Sequence, residues 1–217
     1  MNLTEKEISY TTTNTYATLN TLTDQTKNIG LVFHGMGYLS RYFLRYFESF
    51  NPDENYFIAP QAPSKYYIGP KYKHVGASWL TKENTQKETK NILNYVETVL
   101  QNENLPKDKN VIVLGYSQGV SIAMRYIATR GLQPKKLILH SGGIPHELTA
   151  KDFHHFNGQV YLIYGDSDEY LNIERIQNEV EKSNLLFGDI VNIIPFEGGH
   201  IVNTNLIKSI TYKTDTN

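Results

Sequence analysis

Residues 111–120 of the chain read VIVLGYSQGV, and this segment decides the fold. Its first four residues are an apolar run typical of a buried strand, and apolar residues at helical spacing follow from Val120 onward. A serine between two glycines at a strand-to-helix turn is the pattern of a nucleophile elbow. Gly115 and Gly119 lack the side chains that would clash in so tight a turn. The pattern predicts that Ser117 presents its hydroxyl at the end of a sheet as a nucleophile, whereas a plain turn of small residues would require neither the strand nor the helix.

Strand and helix signals alternate along the rest of the chain. Strands are predicted over residues 29–33, 55–59, 111–115, 136–139, 160–164 and 190–194. Helices are predicted over residues 40–50, 118–130, 172–183 and 201–211, and a long helix follows a capping-box pattern at residues 85–88. Residues 7–20 predict an N-terminal hairpin, and Pro60 and Pro63 open a predicted loop over residues 60–81. This alternation predicts an α/β fold with a mostly parallel central sheet flanked by helices.

The size and composition of the chain favour one domain over residues 1–217, with no repeat and no linker. A net charge of −1 gives no reason to expect a nucleic-acid partner. The absence of cysteine excludes disulfides, a cysteine nucleophile and thiolate metal sites. No apolar run is long enough for a membrane span, and the first residues do not form a signal peptide, so we expect a cytoplasmic protein. A monomer and a homodimer are both compatible with the sequence.

Candidate partners for Ser117 follow later strands. A serine hydroxyl is a weak nucleophile until a base, usually histidine, takes its proton, and an acid holds that histidine in the correct tautomer. With a nucleophile elbow, the chain order is serine, then acid, then histidine. Asp166 and Asp168 follow the strand at 160–164. Of the seven histidines, only His200 follows these aspartates, so we predict that His200 is the base.

The spacing alone does not separate Asp166 from Asp168, because either could reach the imidazole. An aspartate at a turn is most often hydrogen-bonded to nearby backbone. We assign that role to Asp166 and predict that Asp168 is the acid.

Acyl transfer also needs backbone N–H groups that stabilise an oxyanion. One donor is expected from Gln118, the residue after the nucleophile, and the second from the loop after an early strand. Residues 34–37, HGMG, fit that loop, and Met36 is the predicted second donor. The alternative is that these residues form only a tight turn.

Three histidines cluster in the sequence at positions 146, 154 and 155. Their spacing fits no common pattern of metal ligands, so we predict surface histidines and no metal site.

Taken together, the motifs resemble the phospholipase/carboxylesterase family of α/β-hydrolases, which includes acyl-protein thioesterases. The matching segments occur in the family's order and are FHGMG at 33–37, APQAP at 59–63, SW at 78–79, GYSQG at 115–119, SGGIP at 141–145, GDSD at 165–168 and GH at 199–200. The resemblance implies an α/β-hydrolase fold and a serine esterase or thioesterase that uses Ser117, Asp168 and His200, with no metal or organic cofactor. It also supports Met36 and Gln118 as oxyanion donors.

Some positions beside the expected pocket depart from the family pattern. Tyr38 stands where members often carry aspartate, and Val120 where they often carry a second glycine. Glu169, Tyr170 and Leu171 replace the usual proline and hydrophobic residue after the acid. These departures bear on the substrate more than on the mechanism.

The short segment between residues 141 and 158 leaves no room for a large cap domain, so we expect an open pocket. Aromatic residues of the 60–81 loop predict a wall for an acyl or aryl group. Trp79, Tyr38 and Tyr66 are the predicted substrate-binding residues, and a solvated loop with a few anchoring rings is an equal alternative.

The predicted function is hydrolysis of small-molecule carboxylic or thio esters with short to medium acyl chains, through an acyl-enzyme intermediate. The alternatives are a peptidase or a lactone hydrolase on the same triad, or a non-catalytic binding module that keeps the hydrolase fold.

Overall fold

A seven-stranded sheet forms the centre of the molecule. The computed structural model describes residues 1–213, so residues 214–217 of the predicted domain lie outside the described part. The strands are β1 (Tyr16–Leu19), β2 (Asn28–Phe33), β3 (Asn55–Pro60), β4 (Ser64–Ile68), β5 (His74–Ser78), β6 (Asn110–Tyr116), β7 (Lys136–His140), β8 (Gln159–Gly165) and β9 (Val191–Phe196). The central sheet has the order β1-β3-β2-β6-β7-β8-β9, and β4 pairs separately with β5. Only the edge strand β1 runs antiparallel to its neighbour in the central sheet.

Helices cover both faces of this sheet. They are α1 (Ser40–Phe43), α2 (Thr85–Glu103), α3 (Gln118–Arg130), α4 (Ile173–Phe187) and α5 (Thr204–Tyr212). Successive residues of a strand point to opposite faces. Val113 of β6 therefore packs in the layer of α2 and α3, whereas Leu114 packs in the layer of α1 and α5. The predicted mostly parallel α/β architecture is confirmed.

The predicted loop over residues 60–81 was wrong in part, because it contains the hairpin of β4 and β5. These strands pair antiparallel from Ser64 opposite Ser78 to Ile68 opposite His74. Every residue of β4 is exposed, so its sequence lacks the buried alternation that predicts a strand. Pro60 and Pro63, which precede β4, instead indicated a loop.

The predicted N-terminal hairpin is also wrong, since residues 1–15 form no strand and only β1 joins the sheet edge. The β-prone residues before β1 are mostly exposed and have no strand beside them.

Three predicted helices also differ from the structure. Thr85 lies inside α2 instead of capping it, and its hydroxyl donates to the Thr81 carbonyl at 2.7 Å, so the capping box is not formed. The segment predicted as a helix over 40–50 is the short α1 followed by a 3₁₀ turn. The last helix begins at residue 204, capped by the Asn203 side chain.

The first turn of helix α3 packs closely against the backbone at the end of β2. A Cβ atom at Gly119 would overlap the carbonyl oxygen of Phe33. That oxygen belongs to the backbone at the end of a central strand and has little freedom to move. Glycine at position 119 is therefore required by packing, beyond its place in the motif.

We predict that Gly119→Ala lowers the free energy of unfolding by at least about 2 kcal/mol, because the added methyl group forces α3 away from β2. Urea denaturation measures this change. Thr129→Ala, at an exposed position near the other end of the same helix, is the control and should change stability by no more than about 0.5 kcal/mol. Equal, small effects of both substitutions would contradict the packing argument.

Candidate active site

Three predicted site residues meet at the carboxyl edge of the sheet. Ser117 follows β6, Asp168 follows β8 and His200 follows β9. The Ser117 Oγ atom lies 3.0 Å from His200 Nε2, and His200 Nδ1 lies 2.7 Å from Asp168 Oδ2. In the neutral imidazole, Nδ1–H donates to the carboxylate and leaves Nε2 free to accept from the serine hydroxyl. This continuous line of hydrogen bonds is the geometry that makes a serine hydroxyl nucleophilic.

The serine sits in a strained turn. Its φ angle is +53°, a left-handed value that is unfavourable for a residue with a side chain. The Ser117 N–H donates to the His140 carbonyl at 2.8 Å, which fixes the turn to the end of β7. A Cβ atom at Gly142 would overlap the Ser117 carbonyl oxygen, so the next loop presses directly on the turn. Contacts on both sides hold the hydroxyl at the rim.

The structure separates the two aspartates that spacing could not. The Asp168 side chain is 0% exposed, and its second oxygen accepts from the N–H groups of Tyr170 and Leu171 at 2.8 and 3.2 Å. These bonds orient the carboxylate that faces His200. Asp166 instead accepts from the Gly198 N–H at 3.1 Å, which joins the two loops as its predicted backbone role requires.

Two residues that the sequence prediction missed hold the backbone of His200. Glu169 Oε2 accepts from the His200 N–H at 3.1 Å. The Tyr116 hydroxyl donates to the His200 carbonyl at 2.9 Å, and the Tyr170 ring lies edge-on to the imidazole. The one available signal was the departure from the family pattern at 169–171.

The predicted oxyanion donors lie in two loops at the same edge. Gln118 is the first residue of α3, and Met36 lies in the loop after β2. Within residues 1–213, neither backbone N–H has a hydrogen-bond partner. The Gly37 N–H donates to the Ala77 carbonyl at 2.9 Å, which anchors the Met36 loop on β5. Both amides are therefore available to a ligand.

The Gln118 side chain has a structural task of its own. Its Oε1 accepts from the Trp79 N–H at 2.8 Å, and its Nε2 donates to the Leu80 carbonyl at 2.6 Å. The Gln118 side chain therefore holds the segment that leaves β5 against the candidate site.

The three predicted substrate-binding residues do not share one surface. Trp79 is 1% exposed and donates from Nε1 to the His34 carbonyl, so it supports the loop from beneath and cannot form an open aromatic wall. The partly buried Tyr38 packs edge-on against Tyr116, with its hydroxyl 3.0 Å from that of Tyr46. Tyr66 is 40% exposed and places its hydroxyl near Gly37, in the loop after β2. Of the three, only Tyr66 is largely accessible to a ligand.

A pocket of about 520 Å³ opens beside Gln118. Its walls come from Leu80, from α3 and α4, and from residues 143–146. Among the residues described here, no element of a cap closes it.

Two buried histidines brace the loops around the site. His34 donates from Nδ1 to the Gly35 carbonyl and accepts the Ala62 N–H at Nε2, and burial lowers its pKa to about 4. His140 donates to Ser141 Oγ and accepts the Asn203 N–H, and burial, with the nearby His200, lowers its pKa to about 3. Both are therefore neutral at physiological pH.

Over residues 1–213, no group of three His, Cys, Asp or Glu side chains is arranged to hold a metal ion. In the same part of the chain, none of the helices has the length and apolar character needed to cross a membrane.

A family model described as Phospholipase/Carboxylesterase matches residues 14–211. The chain therefore belongs to the phospholipase/carboxylesterase family. It is a hydrolytic enzyme of the carboxylesterase class, and the predicted α/β-hydrolase fold is confirmed.

Solved structures with this fold are similar over nearly the whole chain. Acyl-protein thioesterase 2 of Zea mays has a TM-score of 0.67 and 15% identity, over 91% of this chain and 96% of its own. Esterase PE8 has a TM-score of 0.66 and 22% identity, over 90% of this chain and 96% of its own. A phospholipase/carboxylesterase of Dyadobacter fermentans has a TM-score of 0.64 and 18% identity, over 94% and 99%. A search of curated proteins gave no match.

We predict that acid weakens the fold through the two buried histidines. An unfolded histidine binds a proton near pH 6.5, whereas folded His34 does so only near pH 4 and His140 near pH 3. Between these values the unfolded state binds more protons, so the free energy of unfolding falls as the pH drops from about 6.5 towards 4. Each histidine contributes on the order of 2–3 kcal/mol to this loss.

Urea denaturation over a pH series measures the effect. His34→Asn removes one of the two titrating groups, so its stability should fall less steeply than that of the wild type over the same range. Parallel curves for both proteins would contradict the assignment.

Proposed function

We propose that this enzyme hydrolyses small-molecule carboxylic or thio esters with short to medium acyl groups, through an acyl-enzyme intermediate on Ser117. The observation that carries the proposal is the line of hydrogen bonds from Ser117 Oγ through His200 to the buried Asp168. Ser117 and His200 are both partly exposed, so a substrate can reach them.

Acylation begins when Ser117 Oγ attacks the ester carbonyl carbon and His200 Nε2 takes the serine proton. The Asp168 carboxylate stabilises the imidazolium that forms, because it accepts from Nδ1. As the tetrahedral intermediate collapses, the bond between carbon and the leaving oxygen or sulfur breaks. His200 returns its proton to the leaving group. Water then attacks the acyl-enzyme by the same route and restores the serine.

Negative charge on the former carbonyl oxygen must be stabilised during both steps. The unpartnered N–H groups of Met36 and Gln118 are suited to this task, since neither has to break a protein hydrogen bond. The anchoring of the Met36 loop on β5 fixes one donor, and the start of α3 fixes the other.

The pocket beside Gln118 supports the proposed chain length. A volume of about 520 Å³ suits a small or medium ligand. The pocket is lined by Gln118, one of the proposed oxyanion donors. His200, which must protonate the leaving group, is not among its lining residues. The acyl half of the ester is therefore the half that enters this pocket.

We predict that a fluorophosphonate probe labels the wild-type protein once and does not label Ser117→Ala. The probe phosphonylates only a serine whose proton has a base to receive it. Gel fluorescence and mass spectrometry read out the adduct, and circular dichroism confirms that the variant is folded. Failure to label the folded wild-type protein would contradict an active Ser117.

We further predict that Asp168→Asn lowers kcat for p-nitrophenyl esters roughly 10³–10⁴-fold, because the amide no longer holds His200 in the correct tautomer. Asp166→Asn is the matched control, since an asparagine oxygen still accepts from the Gly198 N–H, and its kcat should change by less than about tenfold. Steady-state kinetics on both variants make the comparison. A larger effect at position 166 would reverse the assignment.

A further inference from the structure

The pocket beside Gln118 carries more positive charge than a neutral acyl chain requires. Three cationic side chains line it, from Arg125 of α3 and from Arg175 and Lys182 of α4, together with His146. The only carboxylate in the lining is that of Glu179. Arg125, Arg175 and Lys182 against the one carboxylate give the lining an excess of two positive charges, with His146 left out of the count.

The carboxylate of Glu179 already has two partners within the protein. Its residue is 7% exposed, and Oε2 accepts from the Ile144 N–H at 2.7 Å. Oε1 lies 3.5 Å from Lys182 Nζ. Glu179 therefore holds the loop after β7 and pairs with Lys182, and it forms no salt bridge with Arg125 or Arg175.

The two arginines differ in what they have left to bind. Arg125 is paired at 2.6 Å with Glu147 and also donates to Ser121. Arg175 donates from Nη1 to the Tyr170 carbonyl at 3.0 Å, but no carboxylate of residues 1–213 pairs with it. Arg175 thus brings into the pocket a charge that is in no salt bridge within this part of the chain.

The loop after β7 contacts both Arg175 and the Ser117 turn. Its Nη2 atom would be 3.3 Å from a Cβ atom at Gly143, and the preceding Gly142 packs against the Ser117 carbonyl. An acyl chain that extends from Ser117 past Gln118 into the pocket therefore approaches the free edge of this guanidinium.

We propose that the pocket selects acyl groups that end in a carboxylate, so that the preferred substrates are half-esters of dicarboxylic acids. This inference rests on the proposed function. A guanidinium pairs with a carboxylate through charge-assisted hydrogen bonds.

The test compares mono-p-nitrophenyl adipate with p-nitrophenyl hexanoate, whose acyl groups have equal numbers of carbons. For wild-type protein, kcat/KM for the adipate should exceed that for the hexanoate about tenfold, the size expected of one charge-assisted bond. Arg175→Gln should lower the adipate-to-hexanoate ratio about tenfold. Arg130→Gln, the same substitution at the far end of α3, should leave the ratio unchanged.

The dependence of the adipate-to-hexanoate ratio on salt distinguishes a charge interaction from a purely structural role of Arg175. The wild-type ratio should fall as sodium chloride is raised, because added ions screen the attraction at this open site. A wild-type ratio near one, or a ratio that Arg175→Gln leaves unaltered whatever the absolute rates, would overturn the proposal.

Binding to Ser117→Ala separates this inference from the proposed function. Calorimetry should show that monomethyl adipate binds more tightly than methyl hexanoate, and that adding Arg175→Gln removes the difference. If wild-type protein hydrolyses neither p-nitrophenyl ester but the difference in binding between the methyl esters persists, the pocket assignment stands and the proposed function fails. If both p-nitrophenyl esters are hydrolysed without preference and the two methyl esters bind equally, the pocket assignment alone fails.

Discussion

The close backbone packing around the Ser117 turn is the constraint on which the rest of the site depends. Gly119 lies against the end of β2, and Gly142 of the next loop lies against Ser117 itself. Between these contacts the serine adopts a left-handed backbone conformation that it would not adopt alone. The same turn exposes the hydroxyl to His200 and leaves the N–H of Gln118 without a protein partner. The Ser117 hydroxyl and the Gln118 N–H are thus positioned by one feature of the fold.

The histidines around the site divide into two kinds by their surroundings. His34 and His140 are 0% exposed and use both ring nitrogens to join neighbouring loops, so burial keeps them neutral and structural. His200 retains some exposure, and its Nε2 faces a serine hydroxyl instead of a backbone amide. The difference lies in what the second ring nitrogen meets, which only the folded chain determines.

Much of the architecture and the three residues now found within hydrogen-bond distance could be predicted from the sequence. Strand-to-helix alternation predicts the sheet, and the carboxyl ends of parallel strands share one edge, so the residues after β6, β8 and β9 were expected at the same edge. Their catalytic roles remain predictions. Trp79 was misplaced because an aromatic residue in a loop pattern gives no sign of its depth. Glu169 and Tyr116 were missed because their partners on the His200 backbone are distant in sequence. The β4–β5 hairpin was missed because β4 has no buried side.

Trapping the acyl-enzyme tests the central claim most directly. With p-nitrophenyl pivalate, whose bulky acyl group slows the attack of water, acid quenching followed by peptide mass spectrometry reports where the acyl group resides. The account predicts a burst of nitrophenol equal to the enzyme concentration and a pivaloyl adduct on the peptide that contains Ser117. Steady hydrolysis with no adduct, or an adduct on another residue, would contradict it.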